Sequence, residues 1–217
     1  MGINLGSGFG NLTGNTNNST PAGGILNLNK NDILDLTKRN PGLKRVMLGA
    51  GWDISNNGSD FDLDIAAFLL DANNKFNTVS NVIFFNNRAG QGITLAGDNR
   101  TGAGAGDDET INIELDKIDS NIVKIVFVVT IHEAMAKRQT FGMINNSYVR
   151  LVDLDQNGKE LCRFNLKENG STATSVIFAE LNRNGSEWQF KAVGEGKIAD
   201  LNGYSHSTVY PVPGSCP

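Results

Sequence analysis

"VKIVFVVTI", residues 123–131, is apolar on both faces of a two-residue alternation. A strand of that kind cannot lie at a solvated edge, so it predicts the centre of a sheet covered on both sides. Other short apolar segments flank it at close spacing. They are "DILDLTK" (32–38), "LKRVMLGAGW" (43–52), "FDLDIAAFLL" (61–70), "NVIFF" (81–85), "TINIEL" (110–115), "SYVRLVDL" (147–154), "KELCRFNL" (159–166), "SVIFAELN" (175–182) and "EWQFKAV" (187–193). Several alternate cleanly: Ile111, Ile113 and Leu115 oppose Asn112 and Glu114. "DANNKF" (71–76), "DQNGK" (155–159) and "NRNGSE" (182–187) supply turns, and Asn-Gly is a strong hairpin signal. Only "IHEAMAKRQ" (131–139) reads as a helix, with a further turn at "DKIDS" (116–120). The expected fold is all-β: an antiparallel sandwich with one short helix and a few helical turns.

At 217 residues and 39% hydrophobic composition, the chain can bury a sizeable single core. Residues 1–24 are rich in Gly, Asn, Ser and Thr and read as a flexible arm; the domain is expected over 25–197, with a separate tail at 198–217. The net charge of −4 argues against a nucleic-acid partner, and no apolar run is long enough to span a bilayer. The start lacks the pattern of a secretion signal or a myristoylation site. The two cysteines, Cys162 and Cys216, form no disulfide framework, which suits a reducing compartment.

Two segments concentrate carboxylates. In "GSDFDLD" (58–64), a strand would place Asp60, Asp62 and Asp64 on one face and Phe61, Leu63 and Ile65 on the other. Three like charges about 7 Å apart repel unless they face water or a cation. "GDNRTGAGAGDDE" (97–109) adds Asp98, Asn99, Asp107, Asp108 and Glu109 on a glycine-rich stretch. All are hard oxygen donors, which select Ca²⁺ or Mg²⁺ over zinc or copper. Gly97, Gly102, Gly104 and Gly106 would let carbonyls approach an ion. A ligand-free flexible loop is the alternative. A phosphate cradle fits poorly, because the three acids after the glycines would repel it. "DLDQNGKE" (153–160) begins like an EF-hand loop but carries Phe164 where the bidentate Glu belongs, so a hairpin turn explains it better. His132 beside Glu133 reads as a polar pair at a strand end, and His206 lies in the tail. No nucleophile elbow, metalloprotease helix or zinc spacing is present. Trp52 and Trp188 read as core residues.

The order of "GWD" (51–53), "DFDLDIAAFLLD" (60–71), "FFNN" (84–87), the glycine-rich acidic stretch, "KIVFVVTIHEA" (124–134), "NNSYVRLVD" (145–153), "ATSVIFAELNR" (173–183) and "EWQFKAVGEG" (187–196) resembles the TerD family of tellurium-resistance and chemical-stress proteins. The resemblance runs from about residue 42 to 196. It implies a β-sandwich that binds two calcium ions through Asp60, Asp62, Asp64, Asp98, Asn99, Asp107, Asp108 and Glu109. It also implies a non-catalytic stress-response protein, cytoplasmic or loosely membrane-associated. Such a protein would dock other members of a complex, or assemble with itself. A structural, self-assembling protein in which calcium only stiffens the subunit is the competing expectation. The Gly/Asn-rich arm and the tail "KIADLNGYSHSTVYPVPGSCP" depart from the family pattern; Pro211 and Pro213 oppose the family's terminal helix.

Overall fold

A computed structural model of the chain describes residues 24–53, 61–76, 78–96, 106–166 and 171–205. The elements in chain order are β1 (Leu26–Leu28), β2 (Ile33–Asp35), α1 (Leu36–Arg39), β3 (Arg45–Asp53), β4 (Leu63–Leu70), β5 (Val82–Ile83), β6 (Ala89–Gly90) and β7 (Ile93–Leu95). They continue with β8 (Glu109–Glu114), β9 (Lys124–Ile131), α2 (Ala134–Lys137), β10 (Asn145–Asp153), β11 (Lys159–Asn165), β12 (Ser175–Asn184), β13 (Glu187–Lys197) and α3 (Leu201–Ser205).

One sheet has the order β1-β11-β10-β3-β8-β7-β6, the other β2-β13-β12-β9-β4-β5. Every pairing is antiparallel except β1 with β11. The inner faces meet in one core: Leu48, Ile111 and Val149 from the first sheet against Ile65, Phe127 and Phe190 from the second. The expected all-β sandwich is therefore the fold.

β9 lies between β12 and β4, as its two-faced apolar pattern requires. Ile125, Phe127, Val129 and Ile131 enter the main core, while Val126 and Val128 enter a second cluster on the outer face. That cluster is closed by Phe76, Phe84 and Leu201 and by Tyr204 of α3, whose hydroxyl bonds Ser175 Oγ at 2.9 Å. The second sheet is thus covered on both faces. A bulge at Phe178 of β12 turns two successive residues, Phe178 and Ala179, into the main core.

Four local readings needed revision. "DILDLTK" is half strand: the chain leaves β2 at Asp35 and winds into α1. The helix at 131–139 shrinks to four residues, because Glu133 (φ 55°) and Arg138 (φ 53°) both take left-handed conformations and close it from either end. β1, β6 and β7, of two or three residues each, carry too little pattern to read. The tail holds α3, which buries Tyr204. The "DQNGK" segment is a hairpin turn as expected, with Asn157 and Gly158 at positive φ and Asp153 Oδ1 accepting the N–H groups of Asp155 and Gln156. Trp52 and Trp188 are both core residues.

Cys162 is a free thiol with 0% exposure, and burial pushes its pKa up to about 12; Cys216 lies outside the described residues. An unfolded thiol titrates near about 8.5. The stabilisation is complete below that value and falls as pH rises toward the folded one, at about 1.4 kcal/mol per pH unit. Urea unfolding between about pH 8.5 and 10.5 should show this slope, and Cys162→Ala should lose it while keeping a constant offset.

Candidate functional site

The alternation expected for the first acidic segment is present. Phe61, Leu63 and Ile65 are buried in the core, while Asp62 and Asp64 point to the outer face of the second sheet. Asp64 stands opposite Thr130 of β9, with its Oδ2 at 3.6 Å from His132 Nδ1. The Asp62 carbonyl accepts the His132 N–H at 2.7 Å. Asp60, Asp98 and Asn99 lie outside the described residues.

The second segment enters β8 with three acids doing three different things. Glu109 faces the core at 3% exposure, and its Oε2 accepts the Ile65 N–H at 2.7 Å. That amide points toward the β5 side of β4, but β5 pairs only Ala67 and Phe68, so the carboxylate takes the place of a missing strand. Asp108 extends the β3–β8 ladder: its N–H bonds the Ala50 carbonyl at 2.8 Å, and its Oδ2 accepts the Trp52 N–H at 2.9 Å.

Asp107 turns to the opposite, outer face of the first sheet. Arg150 grips it as a fork, with Nε at 2.8 Å from Oδ1 and Nη2 at 2.9 Å from Oδ2, and the Tyr148 hydroxyl donates to Oδ1 at 3.1 Å. Arg150 also reaches Glu160 at 3.0 Å, Glu160 bonds Arg163 at 2.8 Å, and the Arg163 guanidinium stacks 4.2 Å from the Tyr148 ring centroid. The Asp107 hydrogen bonds drive the Arg150 pKa upward. Burial pushes the Glu160 carboxyl up, but Arg163 and Arg150 outweigh it and hold it below the ordinary carboxylate range. Room for this array comes from β3: a Cβ at Gly49 would strike the Asp107 carboxylate, and one at Gly51 the Tyr148 ring. The alternate glycines of "LGAGW" are the sequence signal for this close approach.

The two acidic segments, 44 residues apart between Ile65 and Glu109, thus meet at one end of the sandwich. Of the expected ligands, Asp108 and Glu109 stand at that junction, Asp62 and Asp64 face the other, outer side of the β4 strand, and Asp107 is held by a guanidinium. Among the described residues, no three His, Cys, Asp or Glu side chains gather closely enough to hold a metal by themselves. No helix among them is long and apolar enough to cross a membrane.

A two-sheet sandwich with paired acidic segments at one end defines a class, and the comparisons give it a family. The TerD domain profile matches residues 25–207. Tellurium resistance protein TerD of Serratia marcescens is 47% identical over 179 residues, covering 81% of this chain and 93% of that protein. General stress protein 16U of Bacillus subtilis is 46% identical over 175 residues, covering 79% and 90%. The crystal structure of a homologue of telluride resistance protein (TerD) from Streptomyces coelicolor A3(2) superposes with a TM-score of 0.61 at 29% identity, covering 76% of this chain and 96% of that one. The chain belongs to the TerD family of tellurium-resistance and stress-response proteins.

Proposed function

We propose that this TerD-family chain binds calcium where its two acidic segments meet and acts as a non-catalytic docking module in a cytoplasmic stress response. The observation that carries this is the bond from Ile65 to Glu109, which brings the glycine-rich acidic stretch against the Asp62–Asp64 strand. The acids of the two segments, Asp62, Asp64, Asp108 and Glu109, are all hard oxygen donors, which suits calcium. Asp60, Asp98, Asn99 and backbone carbonyls of the glycine-rich stretch would complete the shell. Asp107 fits less well: a carboxylate already gripped at both oxygens would have to surrender an ion pair to reach a metal. Calcium here would neutralise an anionic end for a protein partner.

Titrating calcium into chelator-treated protein tests this. Heat of binding is expected, with a stabilisation of about 2.7 kcal/mol per site at a hundred times the dissociation constant. Asp62→Ala should remove much of that gain. A flat titration with an unmoved melting temperature would defeat the proposal.

A further inference from the structure

The outer face of the second sheet is not covered to its end. Beyond the Tyr204 cluster lies a cleft of about 580 Å³, walled by the 84–86 loop, the turn after β9 and the start of α3. This volume is within the range of about 300–1,000 Å³ usual for binding pockets. The acids of its lining are already engaged. His132 Nδ1 stands 3.6 Å from Asp64 Oδ2, Lys137 Nζ stands 3.7 Å from Glu133 Oε2, and Asp200 Oδ1 accepts the Gly203 N–H at 2.9 Å. Two large apolar side chains of the lining remain open to water: Phe85 is 44% exposed and Met135 75%.

The chain carries an apolar segment within reach of this cleft. Leu201 and Asn202 of α3 line it, and α3 runs on only to Ser205. At the helical rise of about 1.5 Å per residue, the end of α3 stands about 4.5 Å along its axis from Asn202. Residues 206–217, "HSTVYPVPGSCP", lie outside the described residues. They include Val209, Tyr210 and Val212 and contain no Asp, Glu, Lys or Arg. Extended at about 3.3 Å per residue, such a segment reaches about 40 Å, ample for a return to the cleft.

We infer that this cleft receives the chain's own segment 206–217, with Val209, Tyr210 and Val212 covering Phe85 and Met135. An uncharged segment leaves the pairs of the lining as they stand. An aromatic ring gains from contact with a phenyl ring and with a thioether, whose flexibility lets it fit what docks there. Pro211 and Pro213 narrow the backbone freedom of Tyr210 and Val212 as well as their own, so less entropy is lost on docking. The tether adds to this: a short linker presents its segment at a millimolar effective concentration, which favours it over a second copy or a free partner. Any partner that uses this cleft must then displace the segment first. The inference goes beyond the calcium reading and does not depend on it.

A nitroxide label on Cys216 of the full chain tests this by NMR. Cys162, with 0% exposure and its pKa pushed up to about 12, stays unlabelled. The label should broaden the amide signals of residues 84–86 and 132–136. It should do so equally when the isotope-enriched, nitroxide-bearing chain is diluted about tenfold into chain with neither label. Val209→Ser, Tyr210→Ser and Val212→Ser together keep the tether and should at least halve the broadening. Met135→Ser, at an exposed position of the cleft, should reduce it about twofold. The free peptide Ac-HSTVYPVPGS-amide should bind the triple variant at least fivefold more tightly than the natural chain, whose own segment competes. Undiminished broadening in the triple variant, broadening centred elsewhere, or a peptide that does not distinguish the two chains would each overturn the inference. Broadening that vanishes on dilution would assign the cleft to the segment of a second copy and overturn the contact within one chain. The readout is the same in calcium and in chelator, so a flat calcium titration leaves it standing.

Discussion

Arg150→Ala should destabilise the protein by about 3 kcal/mol or more, equally in calcium and in chelator. The Asp107 side chain is 6% exposed and that of Arg150 27%, so the pair is largely withdrawn from water. Removing one partner of such a pair leaves the other charge uncompensated, which costs about 3–5 kcal/mol. The Tyr148 hydroxyl would still donate to Asp107, and Glu160 would keep its bond to Arg163. For a chain of this size each kcal/mol corresponds to about 2–4 °C, so the melting temperature should fall by about 6–12 °C. Arg150→Lys should recover only part of this, since an ammonium cannot replace a planar fork. Urea unfolding with and without calcium checks the result. A loss seen only in calcium would make Asp107 a ligand rather than an anchor.

The same array sets an acid limit. Glu160, with its folded pKa below the unfolded value of about 4.3, contributes stability that is complete above that value. That contribution is lost as pH falls from the unfolded value through the lower folded one. Arg163→Met should flatten the acid limb of a stability–pH curve.

The sandwich was legible in the sequence because burial follows the strand period. β9 could be placed from its own eight residues, since apolar side chains on both faces admit few positions in a sheet. What covered its outer face was not legible. Tyr204 and Leu201 come from a tail whose composition resembles a loop, and their role depends on contacts across the chain. The helix at 131–139 was overread for a related reason. Periodicity registers side-chain spacing but not the two left-handed residues that terminate the turn. At the candidate site the sequence identified the acids and their two segments. It could not distribute their tasks, because Asp107, Asp108 and Glu109 look alike in one dimension. In the fold, Glu109 begins β8 and follows its alternation into the core, whereas Asp107 precedes the strand, escapes that alternation and meets Arg150 on the outer face.

Glu109 shows how far those tasks can be separated. Glu109→Ala should cost about 3 kcal/mol in chelator: it leaves the Ile65 N–H without its acceptor at a buried strand edge and opens a void between the sheets. An unsatisfied buried amide costs about 1–3 kcal/mol, and the lost packing adds to it. Glu109→Gln keeps an oxygen of the same reach and loses only the charge, so its stability in chelator should lie within about 1–1.5 kcal/mol of the natural chain. Calcium distinguishes the two further. A carboxylate contributing to the ion should not be replaceable by an amide without loss of affinity, so Glu109→Gln should forfeit most of the gain of about 2.7 kcal/mol expected at a hundredfold calcium excess. Thermal unfolding of the three chains, each with and without calcium, separates the strut from the ligand. A Gln variant that keeps the full calcium response would leave Glu109 as a strut between the sheets and place the charge that calcium answers on Asp62, Asp64 and Asp108.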